Sequence, residues 1–273
     1  MTAADQRSME VKRARGGPKP ERAPAQPPAW EREQWVDEGS LRDEAAAAAQ
    51  RATAAEPVRR RKDPELAPEV SEELQRVAPA GRTIRYQERL TSAADALDRG
   101  RYADARRMVQ PVIRDLPDMA FGHEIAGLAL YRLGQWRKAA AELEVARQLD
   151  KTTNHHAVLA DCYRAMKRYR DVEALWVELR DASPSPALLS EGRIVAAGAL
   201  SDQGDLAGAL KLMAKAAEVP KKVRDHHLRQ WYVVADLYDR SGDVIKARRF
   251  FSMVLEHDSE FADAADRLRS LGR

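Results

Sequence analysis

A pattern that recurs five times constrains this chain more than any other feature. The segment "ALDRGRYADARRMVQPVI" aligns with "LYRLGQWRKAAAELEVAR" and sets Gly100 over Gly134. The later copies are "CYRAMKRYRDVEALWVEL", "ALSDQGDLAGALKLMAKAA" and "LYDRSGDVIKARRFFSMVL", the last two carrying Gly204 and Gly242. Equivalent positions Tyr102, Trp136, Tyr169, Leu206 and Val244 lie 34, 33, 37 and 38 residues apart. Self-similarity at such a period marks units that bury their apolar faces only against one another. From Arg85 onward apolar residues recur at three- and four-residue spacings, and no sustained alternation points to strands. The expected fold class is all-α.

Each copy reads as two helices. The first ends at glycine, which accepts the positive φ of a tight helix–helix turn. Two residues later a large apolar side chain opens the second helix. Three further on stands Ala105, Ala139, Ala209 or Ala247, where two helices must approach closely. The third copy departs, with Lys167 in place of glycine and Val172 in place of alanine. Small residues also recur midway along the first helices, at Ala93, Gly127, Ala160, Ala197 and Ala235, with Leu130, Tyr163, Leu200 or Tyr238 three later in most copies.

In this register the chain resembles the tetratricopeptide repeat. The fifth copy matches most cleanly, with W-x-x-V-A-x-x-Y at Trp231, Val234, Ala235 and Tyr238, followed by Gly242 and Ala247. Pro117 and Pro184 fall where the family's terminal proline sits in the first and third copies; the other copies lack it. The resemblance covers Tyr86 to about Asp258, and "SEFADAADRLRSLG" reads as a closing helix. The runs "VLADCYRAMKRYRDVEALWVELRDASPS", "RDHHLRQWYVVADLYDRSGDV" and "WVDEGSLRDEA" also resemble an actinobacterial family of tetratricopeptide proteins. Arginine outnumbers lysine 35 to 11, which fits a GC-rich genome.

The resemblance implies a right-handed solenoid over residues 81–273, about five helix pairs and a closing helix, with first helices lining a concave groove. Groove-facing positions then include Phe121, Glu124, Leu128, Tyr131 and Arg132 from the second copy, and Asp161 and Arg164 from the third. The fifth contributes Arg229, Tyr232, Asp236 and Arg240. This mixture of aromatics, arginines and carboxylates suits a grip on a peptide; the competing interpretation is an ordinary solvated helix face. Relatives that clamp a C-terminal carboxylate resemble one another in using asparagines and lysines at fixed groove positions. Ala94, Leu128, Asp161, Gly198 and Asp236 stand there instead, so that role is not expected.

Residues 1–80 differ in kind. They hold nine of the fourteen prolines, few branched aliphatics, and 14 basic against 15 acidic residues. Too little apolar surface is available to offset the entropy of ordering, so a disordered tail is expected. Within it a short helix over residues 29–52 could start at Ser40 and run through five alanines. Trp30, Trp35, Val36 and Leu41 in that stretch read either as a docking motif or as incidental apolar residues on a transient helix. The cluster Arg59 to Lys62 is diluted by Asp63 and Glu65, and "EVSEELQRV" suggests one helical turn or two.

Chemistry is sparse. The adjacent pairs His155-His156 and His226-His227 point apart on a helix and lack a further ligand at a suitable spacing, so no metal and no cofactor is expected. Cys162 has no local base to activate it and reads as a buried thiol, while a single cysteine excludes an internal disulfide. Glycines mark turns rather than a phosphate-cradling loop. The chain is therefore expected not to be an enzyme. The formal net charge of +3 comes from Lys+Arg 46 against Asp+Glu 43, so the bulk charge demands neither nucleic acid nor an anionic membrane. No stretch is apolar enough to span a bilayer and Met1 to Pro20 has no apolar signal core, which leads to an expected cytoplasmic location. The expected function is a scaffold that binds a protein or peptide in the groove. The alternative is an RNA- or ribosome-associated factor whose arginines, such as Arg101, Arg106 and Arg107, touch phosphate.

Overall fold

The turn inside each repeat is closed by one hydrogen-bonding scheme. A residue of positive φ donates its N–H three residues back, and the next residue donates five back. Gly100 and Arg101 do so to Leu97 and Ala96, Gly134 and Gln135 to Tyr131 and Leu130, Gly204 and Asp205 to Ser201 and Leu200, Gly242 and Asp243 to Asp239 and Tyr238. These bonds satisfy carbonyls that the last turn of a helix leaves open. The four glycines have φ between 71° and 84°. Lys167 and Arg168 build the third turn identically, onto Arg164 and Tyr163. Lys167 adopts φ 58° to do so, a side chain held where its counterparts are glycine.

The computed structural model describes residues 66–272. Among them are twelve α-helices and one short 3-10 helix, with no strand among the described residues. In chain order they are α1 (Pro68–Val77), α2 (Thr83–Asp98), α3 (Tyr102–Asp115), α4 (Ala120–Arg132), α5 (Trp136–Asp150) and α6 (His156–Ala165). Then follow α7 (Tyr169–Ala182), α8 (Pro186–Asp202), α9 (Leu206–Met213), the 3-10 helix Ala214–Ala217, α10 (Asp225–Arg240), α11 (Val244–His257) and α12 (Ala264–Ser270). The all-α expectation therefore holds.

Packing follows chain order. The extensive contacts join helices one or two places apart, and α2, α4, α6, α8 and α10 touch in succession. The core is accordingly divided into consecutive clusters. One groups Leu74, Tyr86, Leu90, Val109 and Met119; the next gathers Leu143, Leu159, Tyr163 and Leu175; another holds Met213, Trp231, Phe251 and Val254. The small residues sit at the helix crossings. Ala105, Ala139, Ala209 and Ala247 are all 0% exposed, and Val172 fills the same place at 1%. At Gly127 an added Cβ would lie 2.6 Å from Leu143 Cγ, so α4 and α5 meet at a distance only glycine allows.

The N-terminal boundary differs from the sequence expectation. Pro68 occupies the first turn of α1, where its missing N–H costs nothing. The helix is ten residues long rather than one turn or two. Leu66 and Leu74 are buried in the first core cluster, with Val70 and Val77 packed alongside. Glu73 Oε1 accepts the N–H of Ala120 at 2.6 Å and so meets the first residue of α4. The folded part thus begins by Leu66 and not at residue 81. The helix proposed over 29–52, Trp30, Trp35, Val36, Leu41 and the cluster Arg59 to Lys62 lie outside the described residues. Among the described residues, no helix is long and apolar enough to cross a membrane.

Candidate functional site

The eleven residues singled out for partner binding lie on α4, α6 and α10. Spacings of three and four residues keep each set on one helical face. Most of their polar groups turn out to join one first helix to the next. Tyr131 of α4 donates to Asp161 Oδ2 of α6 at 2.7 Å. Arg164 of α6 forks onto Asp202 of α8 at 2.6 and 3.0 Å and passes Asp161 at 3.7 Å. Glu191 of α8 meets Arg229 of α10 at 2.8 Å. Asp236 of α10 meets Arg267 of α12 at 2.9 Å, and Arg267 also bonds Asp239 at 2.8 Å. Tyr232 donates to Asp263, just before α12, at 2.5 Å.

Two carboxylates in this ladder are deeply buried, Asp161 at 6% and Asp236 at 2% exposure. Each is compensated, since a lone buried charge is costly. Tyr131 hydroxyl and Arg164 flank Asp161, while Arg240 at 2.8 Å and Arg267 flank Asp236. Burial, then the charge of Asp161, push the Tyr131 hydroxyl well above its ordinary pKa, so it remains a donor. Burial works against the Arg164 charge, but Asp202 and Asp161 outweigh it and leave the guanidinium more firmly protonated than usual. Gly198 makes room for this fork, because a Cβ there would stand 2.7 Å from the Arg164 guanidinium.

Glu124 is likewise held, by His155 Nε2 at 3.1 Å. What faces outward is narrower than the eleven. Phe121, packed against the first core cluster, and Leu128 are half-buried apolar side chains of α4. Arg132 lies near the Tyr102 ring at 5.8 Å, with its buried Nη1 lacking an acceptor. Arg240 is the exposed member, 38% open along its side chain.

Several histidines are held by polar partners. His123 bonds Glu142 at 2.6 Å and the Pro117 carbonyl at 3.0 Å. His156, buried in α6, meets Glu178 at 3.1 Å. His227 Nδ1 accepts the Arg224 N–H at 2.9 Å, while His227 N–H donates back to the Arg224 carbonyl. Among the described residues, no three His, Cys, Asp or Glu side chains group as ligands for a metal ion. Cys162 is fully buried in α6.

Asp202, Glu191, Asp263 and Arg267 were not picked out from sequence. Their partners lie one repeat away, with separations of 38 residues for Arg164 and Asp202 and 31 for Asp236 and Arg267. Opposite charges at repeat-length separation are the signal that points to them. Compared with protein-family models and with curated proteins, the chain matches none.

Proposed function

We propose that the chain is a non-enzymatic adaptor, a right-handed solenoid of five tetratricopeptide-like helix pairs closed by α12. It holds a peptide or helix of a partner protein across the face of α2, α4, α6, α8 and α10. The observation that carries this reading is the fivefold recurrence of one turn geometry together with packing confined to near neighbours. Phe121, Leu128, Arg132 and Arg240 supply contact, and the buried polar ladder keeps the first helices in fixed register beneath them. Trp30 and Trp35 add a second contact from the same chain, which raises the effective concentration of the first. The location fitting this role is the cytoplasm.

Nucleic acid is the less favoured partner. Arg101 and Arg107 are engaged by Asp95 at 3.5 Å and Asp104 at 2.8 Å, which blunts their pull on phosphate. The test is affinity capture of tagged full-length protein from its native cell after nuclease treatment. A protein retained by the parent and lost from a Leu128→Ala, Arg240→Ala double variant of unchanged helicity supports the adaptor. Retention by both forms refutes the assigned face, and loss of all partners on nuclease treatment refutes the adaptor.

A further inference from the structure

The 38-residue spacing between the fourth and fifth copies has a structural counterpart. The second helix of the fourth unit, α9, stops at Met213, tightens into the 3-10 helix, and gives way to a non-helical run before α10. Beside that run lies a cavity of about 280 Å³, bounded by α8, the 3-10 helix and the start of α10. Its polar lining is rich in donors. Gln230 is only 3% exposed, lines the cavity, and its amide makes no hydrogen bond among the described residues. The amide thus keeps its donors and acceptor for an occupant of the cavity.

Arg193 of α8 lines the same cavity, with its guanidinium 5.8 Å from the Trp176 ring centre. It has no carboxylate partner among the described residues, and burial alone lowers its pKa. Since His227 Nδ1 accepts from Arg224, a neutral ring carries its proton on Nε2 and is a donor there. Lys215 lines the cavity as well, and over residues 211–225 Lys211, Lys215, Lys221, Lys222 and Arg224 outnumber Glu218 and Asp225; among the described residues none of the five is ion-paired. The contrast with Arg164, Arg229 and Arg267, each bound to a carboxylate, is plain.

We propose that this cavity binds the carboxylate of an acidic, aliphatic peptide segment of the partner, received by Arg193, Gln230, His227 Nε2–H and Lys215. The proposal rests on the adaptor reading and gives its partner a chemistry. A planar carboxylate fits the guanidinium fork. Glu218 in the cavity wall repels a dianionic phosphate more strongly than a carboxylate of single charge. The volume admits a side chain and is small for a nucleotide. Leu189 borders the polar groups and Val219, 63% exposed, stands at the rim, offering contact to an aliphatic neighbour. None of the eleven groove residues, nor Ala94 or Gly198, lines the cavity, so it is distinct from the surface they form.

The test titrates isotope-labelled full-length protein with N-acetyl-leucyl-glutamyl-valinamide, its glutaminyl counterpart and inorganic phosphate. Nuclear magnetic resonance follows the Gln230 side-chain NH2 and the His227 ring. The glutamyl peptide should shift both signals saturably, and the glutaminyl peptide should bind at least tenfold more weakly. Arg193→Gln should weaken the glutamyl peptide at least tenfold, and the exposed-site variant Lys215→Gln should weaken it severalfold without touching the fold. Equal response to both peptides, stronger response to phosphate, or silence at both signals overturns the carboxylate site. Silence here with partner capture still dependent on Leu128 and Arg240 removes the cavity and leaves the adaptor standing.

Discussion

Replacing Lys167 with glycine should stabilise the protein. Lys167 closes the third turn at φ 58°, with the same two hydrogen bonds that Gly100, Gly134, Gly204 and Gly242 enable at theirs. An L-residue in that region costs about 1–2 kcal/mol through crowding of Cβ against the backbone. Glycine removes the crowding but gains freedom in the unfolded chain, worth roughly 0.4–1 kcal/mol in the opposite direction. The net expectation for Lys167→Gly is a gain of about 0.5–1 kcal/mol, or on the order of 2–3 °C in Tm for a folded part of this size. Lys167→Ala, which keeps Cβ, should give no such gain, and this separates backbone strain from the loss of an exposed charge. Gly242 supplies the reverse case: a Cβ there meets nothing within 4 Å, so Gly242→Ala should lose stability through its φ of 80° alone. The assay is thermal and urea unfolding followed by circular dichroism at the helix band. Equal stability of Lys167→Gly and the parent, or a gain shared by Lys167→Ala, would refute the argument.

Gly127→Ala should destabilise, because its Cβ would press on the Leu143 side chain and stand 3.3 Å from its backbone N; overpacking of this kind costs about 1–3 kcal/mol, partly offset by alanine's higher helix propensity, readable as a lower urea midpoint. Tyr131→Phe should cost about 1–3 kcal/mol by stripping buried Asp161 of its donor, and Asp161→Asn in that background should recover part of the loss, as a double-mutant cycle would measure. Arg164→Ala should fall in the same range by leaving Asp202 and Asp161 without their guanidinium, so a binding defect in that variant must be read against its stability. At His123, burial opposes the charged ring but Glu142 and the Pro117 carbonyl outweigh it and raise the pKa. Its stabilisation is therefore complete below the unfolded value of about 6.5 and lost as pH rises through the folded value. The stability gap between the parent and His123→Gln should narrow from pH 6 to pH 8, and a gap that widens would sink the assignment.

Four of the five turns were legible because glycine at a helix end carries a backbone meaning on its own. Lys167 shows the limit of that signal. There the helix pair imposes the turn, and the residue tolerates it. α1 was legible only as a turn or two, for a different reason: Val70, Leu74 and Val77 have helical spacing, but they sit in a stretch whose average composition argues for disorder. The first-helix face was found by periodicity, while the ties among its polar groups were not. Tyr131 and Asp161, or Arg164 and Asp202, meet only once successive units have packed, and a single helix gives no hint of which charge across the seam will be near.

The seven-residue α12 has a mechanical consequence. Its hold consists of Arg267 across Asp236 and Asp239, Asp263 on Tyr232, and Phe261 and Ala264 under the surface. Arg267 also lies 5.3 Å from the Phe251 ring, so the same side chain that ties the helix shields the aromatic pair Tyr232 and Phe251 from solvent. Arg267→Ala should therefore loosen this end before the earlier clusters respond. Sub-global opening is expected to start from this edge, with amide exchange fastest in α12, slower in α11, and slowest around α4 and α5.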